Sequence, residues 1–383
     1  GYQNIVANGP LSPTSLSAIG YYEKWPSIQQ FSFGVQHQFS SSDILTVSYV
    51  GNLGRHLQFS TPLEQIPDGM GIMNVPALAG KNGCDANGNC DVQSILINRQ
   101  QSSIFFVPYR GYSSISFSQN TAISNYNSLQ TNFRHSFSGG LTLQVLYTWA
   151  HALDNDACSV DCSDTSRWYA TSNSNETHVF QFNYTYELPF FKRSSNRFLS
   201  MVLGGWELSG ISTFFTGQPM DFSCGINGKN TGIGSSSLRC DPTGPVTVTK
   251  GTIDDPQFGP TPAWISGASF AQPTLDQLAA NGQPGMFGYM GRNVLNGPGR
   301  NNWDMALHKD IDLPWFGGER SRMEFRWETF NTFNHSQWSA VKAGCNGQTA
   351  PGAACSGSLN PTNGEVSSTW DPRIMQFGLK LIF

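Results

Sequence analysis

Apolar and polar residues alternate with a period of two along several stretches of this 383-residue chain. That is the spacing of strands with one face toward an apolar medium and the other toward a polar one. The pattern is cleanest after Gly139-Gly140, where Leu141, Leu143, Val145, Tyr147 and Trp149 share a side opposite Thr142, Gln144 and Thr148. Ile28 to Phe39 places Phe31, Phe33, Val35 and Phe39 together, and Leu45, Val47 and Tyr49 follow the next turn. Phe180, Phe182, Tyr184, Tyr186 and Leu188 oppose Val179, Gln181, Asn183, Thr185 and Glu187. Trp303, Met305, Leu307, Ile311 and Leu313 oppose Asp304, His308, Asp310 and Asp312, and Met323, Phe325 and Trp327 oppose Arg322, Glu324, Arg326 and Glu328. The last residues place Met375, Phe377, Leu379, Leu381 and Phe383 on one face, with Ile374, Gln376, Gly378, Lys380 and Ile382 between them. With Ile123 to Phe137 and the poorly alternating Leu199 to Gly217, the pattern predicts about nine strands paired as hairpins.

A two-sided strand of about ten residues has the length needed to cross a hydrocarbon layer at a tilt. The connections alternate in length. Short turns are expected at 40–42, 138–140, 189–198 and 314–319, and long loops at 61–122, 154–176, 218–302 and 335–372. Membrane barrels put short turns on the periplasmic side and long loops outside, which orients the terminal strand from the surface toward the periplasm. Phe39, Phe137, Phe190, Phe191, Trp315, Phe316 and Phe383 collect at the short-turn end, as an interfacial girdle would. A soluble β-sandwich with turns of alternating length is the competing architecture, since soluble sheets also alternate.

Composition favours one large β domain. Charged residues are 13% and aromatics 13%, and 40 Gly with 21 Pro punctuate the chain. No run of 18 apolar residues offers a helical span, a test that barrels escape because alternation hides their strands. A net charge of −4 without any Lys/Arg cluster gives no support for nucleic-acid binding, and no nucleic-acid partner is expected. The chain opens at Gly1-Tyr2-Gln3 without a leader peptide, so a preceding segment is expected.

All eight cysteines fall in the expected long loops, two in each: Cys84 and Cys90, Cys158 and Cys162, Cys224 and Cys240, Cys345 and Cys355. Pairing within each loop would staple it locally in an oxidising compartment. Zinc is the competing reading, but the C-x-x-C and histidine spacings of structural zinc sites are missing. Asp85, Asn87, Asn89 and Asp91 set oxygen ligands at alternate positions like the start of a calcium loop, without its Gly and terminal Glu. Asp154, Asp156, Asp161 and Asp164 form a second acidic loop, read as solvated surface with calcium as the alternative. Arg322, Glu324, Arg326 and Glu328 are expected to line a lumen, pairing across strands with the facing acidic strand and against whatever fills the lumen. Gly297-Pro298-Gly299-Arg300-Asn301-Asn302 is a loop turn, since Trp303 opens a strand where a phosphate loop needs a helix. No nucleophile, base and orienting acid stand in a recognisable order, so an enzyme is not expected and no cofactor is implied.

Several motifs in order resemble the C-terminal barrel of TonB-dependent outer-membrane receptors of the Oar-like type. They are Gln29-Gln30 through Tyr49-Val50-Gly51, Asn125-Tyr126-Asn127-Ser128-Leu129-Gln130, Tyr147-Thr148-Trp149-Ala150-His151 and Tyr186-Glu187-Leu188-Pro189-Phe190. Gly204-Gly205-Trp206-Glu207-Leu208-Ser209-Gly210 and Thr216-Gly217-Gln218-Pro219 come next. Gly297 to Asp304, Phe330-Asn331-Thr332-Phe333-Asn334-His335 and Gln376-Phe377-Gly378-Leu379-Lys380 complete the series. The resemblance implies an all-β, antiparallel transmembrane barrel of about 22 strands with a plugged lumen, of which this chain supplies the last nine or so. Residues 1–27 then belong to an extracellular loop and 28–383 to the barrel, with plug and N-terminal domains absent. The implied partners are outer-membrane lipid, the N-terminal rest of the barrel and its plug, the TonB complex through the missing N-terminus, and the barrel-assembly machinery. The implied activity is uptake of a ligand caught by extracellular loops. A structural or adhesive surface protein without active transport is the alternative.

Overall fold

The computed structural model describes residues 14–63, 72–74, 76, 79–80, 84, 86–91, 108–109, 112–155, 158, 168–192, 195–224, 239–274, 277, 288–313, 321–345, 355 and 363–383. Ten strands and one helix carry the architecture: β1 (Thr14–Ile19), β2 (Ser27–Gln38), β3 (Asp43–Pro62), β4 (Tyr112–Ser138), β5 (Leu141–Asp154), β6 (His178–Glu187), α1 (Arg197–Leu203), β7 (Trp206–Phe215), β8 (Arg300–Asp312), β9 (Arg322–Phe330) and β10 (Ile374–Ile382). From β2 to β10 each strand pairs antiparallel with the next in sequence, giving one sheet with a nine-strand path. β1 lies parallel beside the upper part of β4, and Ala170–Thr171 extends β5.

The short turns follow local chemistry. Gly139 and Gly140 both have positive φ, 62° and 86°, the left-handed pair that a two-residue hairpin turn requires. At the first turn the Phe39 amide donates to the Asp43 carbonyl, and the Ser40 hydroxyl accepts from the Ser42 and Asp43 amides.

Two expectations need correction. Leu199 to Gly217 is not one strand. Asn196 caps α1, its side chain accepting from the Phe198 and Leu199 amides, and β7 begins only at Trp206. Ser195-Asn196 is a helix-start signal, and the apolar Phe198, Leu199, Met201, Val202 and Leu203, broken only by Ser200, depart from the two-residue period. Nor does the loop after β3 span 61–122: β4 alone has 27 residues, far more than a hydrocarbon layer needs, and pairs with β3 up to Pro62. Between them a bulge at Arg55-His56 shifts the register, with His56 at φ 55°.

The long loops are not bare. Val248–Asp255 pairs with Gly259–Ile265, Trp338–Val341 with Val366–Thr369, Pro219–Met220 with Leu295–Asn296, and Asp241–Pro242 with Phe270–Ala271. Their side chains make a closed core of Phe222, Cys224, Cys240, Ile265, Phe270, Met290, Leu295, Cys345 and Cys355. The Phe222 and Phe270 rings stack at its centre, 4.0 Å apart. The described residues of loops 218–302 and 335–372 therefore fold as one cap.

Candidate functional site: the polar face and the capped loop end

Register turns alternation into two surfaces. Thr142, Thr185, Ser209, Ala306, Glu328 and Gln376 form one rung across six strands, and Gln144, Asn183, Ile211 and Asp304 form the next. With Arg134, all of these but Gln376 line a concave trough of roughly 650 Å³. The opposite face carries the rung Leu141, Tyr186, Leu208, Leu307, Trp327 and Phe377. Among the described residues nothing covers that face even on inner strands, where Tyr49, Leu129, Trp149 and Phe180 remain exposed. An uncovered apolar face this wide needs an apolar neighbour.

The terminal apolar row lies on one face of β10. Met375, Phe377, Leu379 and Leu381 sit opposite Thr329, Trp327, Phe325 and Met323 on β9, and Phe383 lies just past the end of β10. Trp327 and Phe377 stack, 5.9 Å between centroids. At the short-turn end Phe39, Phe190, Phe191 and Phe383 are exposed, as a girdle requires. The Phe137 side chain, Trp315 and Phe316 lie outside the described residues.

The polar row pairs differently from the expectation. Opposite Arg322, Glu324 and Arg326 stand Asp312, Asp310 and His308, so Glu324 faces a like charge. Ion pairs instead run along each strand: Arg322–Glu324 at 3.0 Å, Arg326–Glu328 at 3.6 Å and His308–Asp310 at 3.3 Å. One pair crosses strands, Lys380–Glu324 at 3.8 Å, and Gln376 donates to Glu328. Asp304 belongs to a different network. It accepts from the Asn302 amide group and the Asn331 N–H, while Asn331 donates to the His335 and Asp371 carbonyls. Two motifs far apart in sequence thereby lock the tops of β8, β9 and β10 together.

A second lock joins the ends of β7 and β8. A Cβ on Gly217 would lie 1.8 Å from the Gly297 carbonyl oxygen, so only glycine permits this approach. The Gly297 amide donates to the Gln218 carbonyl across it.

Above the sheet, Cys224–Cys240 and Cys345–Cys355 are disulfides within their own loops. Cys84 and Cys158 are also disulfide-bonded, whereas Cys162 lies outside the described residues. The Cys224 and Cys355 sulfurs are 3.4 Å apart, and with Cys345 they cluster within 4.8 Å. That is metal-site spacing, but bridged sulfurs lack the thiolate a metal needs. Asp85 lies outside the described residues, and Asn89–Asp91 is a strand paired with Ile72–Asn74. Asp156, Asp161 and Asp164 lie outside them too.

Asp154 itself departs from the solvated reading. It is buried and ion-paired with Arg292, which also donates to the Thr171 carbonyl. Asn293 reaches the Thr171 carbonyl and Asn173 from the same turn, and the Arg239 guanidinium covers Trp168 at 4.2 Å. Desolvation pushes the Asp221 carboxyl up, against the Phe222 amide and the charges of Arg239 and Arg292. These contacts tie loop 154–176 to the cap. None was legible in sequence, because no periodicity links a strand end to a turn 138 residues later.

Lys309 is the other residue that pattern reading missed. It interrupts the apolar face between Leu307 and Ile311, yet it is buried: its ammonium donates to the Gly204 carbonyl and lies 5.3 Å from the centre of the Trp206 ring.

Among solved structures, the chain is similar to the outer membrane transporter YddB from Escherichia coli, at 8% identity and TM-score 0.41, covering 97% of this chain and 34% of that one. It is also similar to BauA, the ferric preacinetobactin receptor from Acinetobacter baumannii, at 9% identity and TM-score 0.38, covering 92% and 29%. The chain thus spans about a third of the length of these structures. A search of curated proteins found no match. The sequence model of the outer membrane beta barrel domain matches residues 2–376, and the chain belongs to that family.

Proposed function

We propose that this chain is the C-terminal part of an energised outer-membrane transporter of the TonB-dependent, Oar-like type. The trough wall faces a lumen filled by a plug, the capped loops are extracellular and capture a ligand, and the TonB complex drives release of the plug. The observation that carries this reading is the pairing of two media on one sheet. A charged, hydrogen-bonding face with Arg134, Asp304 and Glu328 backs onto an uncovered apolar face, as in a barrel that holds polar contents inside lipid. The outer edges of β2 and β10 end the sheet path. In lipid, open edges cost several kcal/mol per unpaired group, so further strands of the same protein would complete the barrel.

A second reading, a structural or adhesive surface protein, is favoured by the cap, whose disulfides and shared core give a fixed contact surface. The two separate in cells. Uptake of a labelled substrate by the full-length protein that stops when TonB is deleted supports transport. Surface binding that persists without TonB, with no uptake under any condition, selects the adhesive reading.

A further inference from the structure

A cleft of about 360 Å³ opens at the capped end, between the tops of β7 and β8 and the paired strands Trp338–Val341 and Val366–Thr369. Phe215, Met220, Pro298, Val341 and Trp370 give it apolar walls. Phe215 continues the row of Ser209 and Ile211, two trough residues, so the cleft lies over the polar side of the sheet. Its walls are held in place. Met220 pairs with Leu295, Val341 pairs with Val366, and the Trp370 amide donates to the Gln337 carbonyl while Arg300 covers its ring at 4.5 Å.

Glu176 is the one carboxylate among the described lining residues, and it has no ion pair or hydrogen bond with a described residue. The nearest cation in sequence to the lining, Lys342, is engaged by Glu365 at 2.6 Å. Arg300 stacks on Trp370 and does not line the cleft. An unpaired carboxylate at an apolar recess selects for a ligand that brings both a cation and an apolar body.

We infer that this cleft binds a small organic cation, an ammonium group on an aromatic or short alkyl body, with the ammonium against Glu176 and the body between Met220, Val341 and Trp370. The volume admits a compact molecule and excludes a folded chain. This assignment rests on the receptor reading above for its role in uptake, but binding itself is testable alone.

Calorimetry on the full-length protein in neutral detergent, with benzyltrimethylammonium as probe, tests it. Phenylacetate and 3-phenylpropanol serve as the anionic and neutral comparisons. Saturable one-site binding of the cation, weakened about tenfold by Glu176→Gln and lost in Ala340→Trp, is the expected result. Both variants should keep the heat-modifiable band of the folded barrel. Binding of phenylacetate as strong as that of the cation overturns the assignment, as does unchanged affinity in either folded variant. If no cation binds while TonB-dependent uptake of another compound persists, the ligand class fails and the transporter stands. If the cation binds and no TonB-dependent uptake exists, the site stands and the transporter fails.

Discussion

Leu379 and Lys380 are chain neighbours on opposite faces of the sheet, and the reading of β10 rests on that division. Leu379 sits opposite Phe325 in the apolar row, whereas Lys380 sits opposite Glu324 in the charged one. Replacing Leu379 by Arg should cost about 2–4 kcal/mol of folding free energy near mid-membrane. Lys380→Gln should cost well under about 1 kcal/mol, because its 3.8 Å pair with Glu324 is exposed and weak. Urea titration of folding into lipid vesicles measures both, and equal losses would reverse the face assignment. Arg292→Ala is the contrasting case above the sheet. It strands a buried Asp154 carboxylate, which should cost about 3–5 kcal/mol locally. Increased protease cleavage in loop 154–176 is the expected readout, with the barrel itself intact. These residues also mark what sequence could reveal. The two-residue period that fixes Leu379 is local and readable, whereas the Arg292–Asp154 pair depends on how two loops meet and leaves no local trace.

At the scale of elements, hairpins were legible wherever alternation was bounded by Gly139-Gly140 or by Ser40 to Ser42, and the ranges of β2, β5, β6 and β9 follow the pattern closely. Sequence failed at α1, where a cap signal sat in an expected turn and the helical residues after it were assigned to a strand, and in the long loops, whose short strands have too few residues to show a period. Because α1 is only seven residues long, it depends on anchoring more than on propensity. Lys309 supplies part of the anchor through the Gly204 carbonyl, and the Trp206 indole supplies more by donating to the Val202 carbonyl. Lys309→Ala should destabilise the β6–β7 connection by about 1–3 kcal/mol, the cost of leaving a buried carbonyl unpaired. Faster amide exchange confined to α1 and the start of β7 would mark that loss, and unchanged exchange there would show that Lys309 is not the anchor. Asn196→Ala should cost about 1 kcal/mol at the same helix through its cap.

For the whole molecule, the question is whether the nine-strand path closes on itself or on other strands. β2 and β10 form its ends, and their side chains are exposed almost throughout. Self-closure would set β2 against β10 in a small barrel with little room beyond its own side chains. Completion by further strands would leave a wide lumen, and the trough fits that alternative because Arg134, Asp304 and Glu328 line open space. Cysteines placed at Val35 and Leu379, one on each edge strand, distinguish the cases. In the full-length protein folded in the outer membrane, no cross-link between them is expected on the proposed reading, which pairs each edge with a further strand. This chain expressed alone should run as heterogeneous oligomers, since each open edge templates another copy. A heat-modifiable monomer that cross-links Val35→Cys to Leu379→Cys in good yield would show a self-closed barrel, and with it the case for a plugged transporter lumen would end.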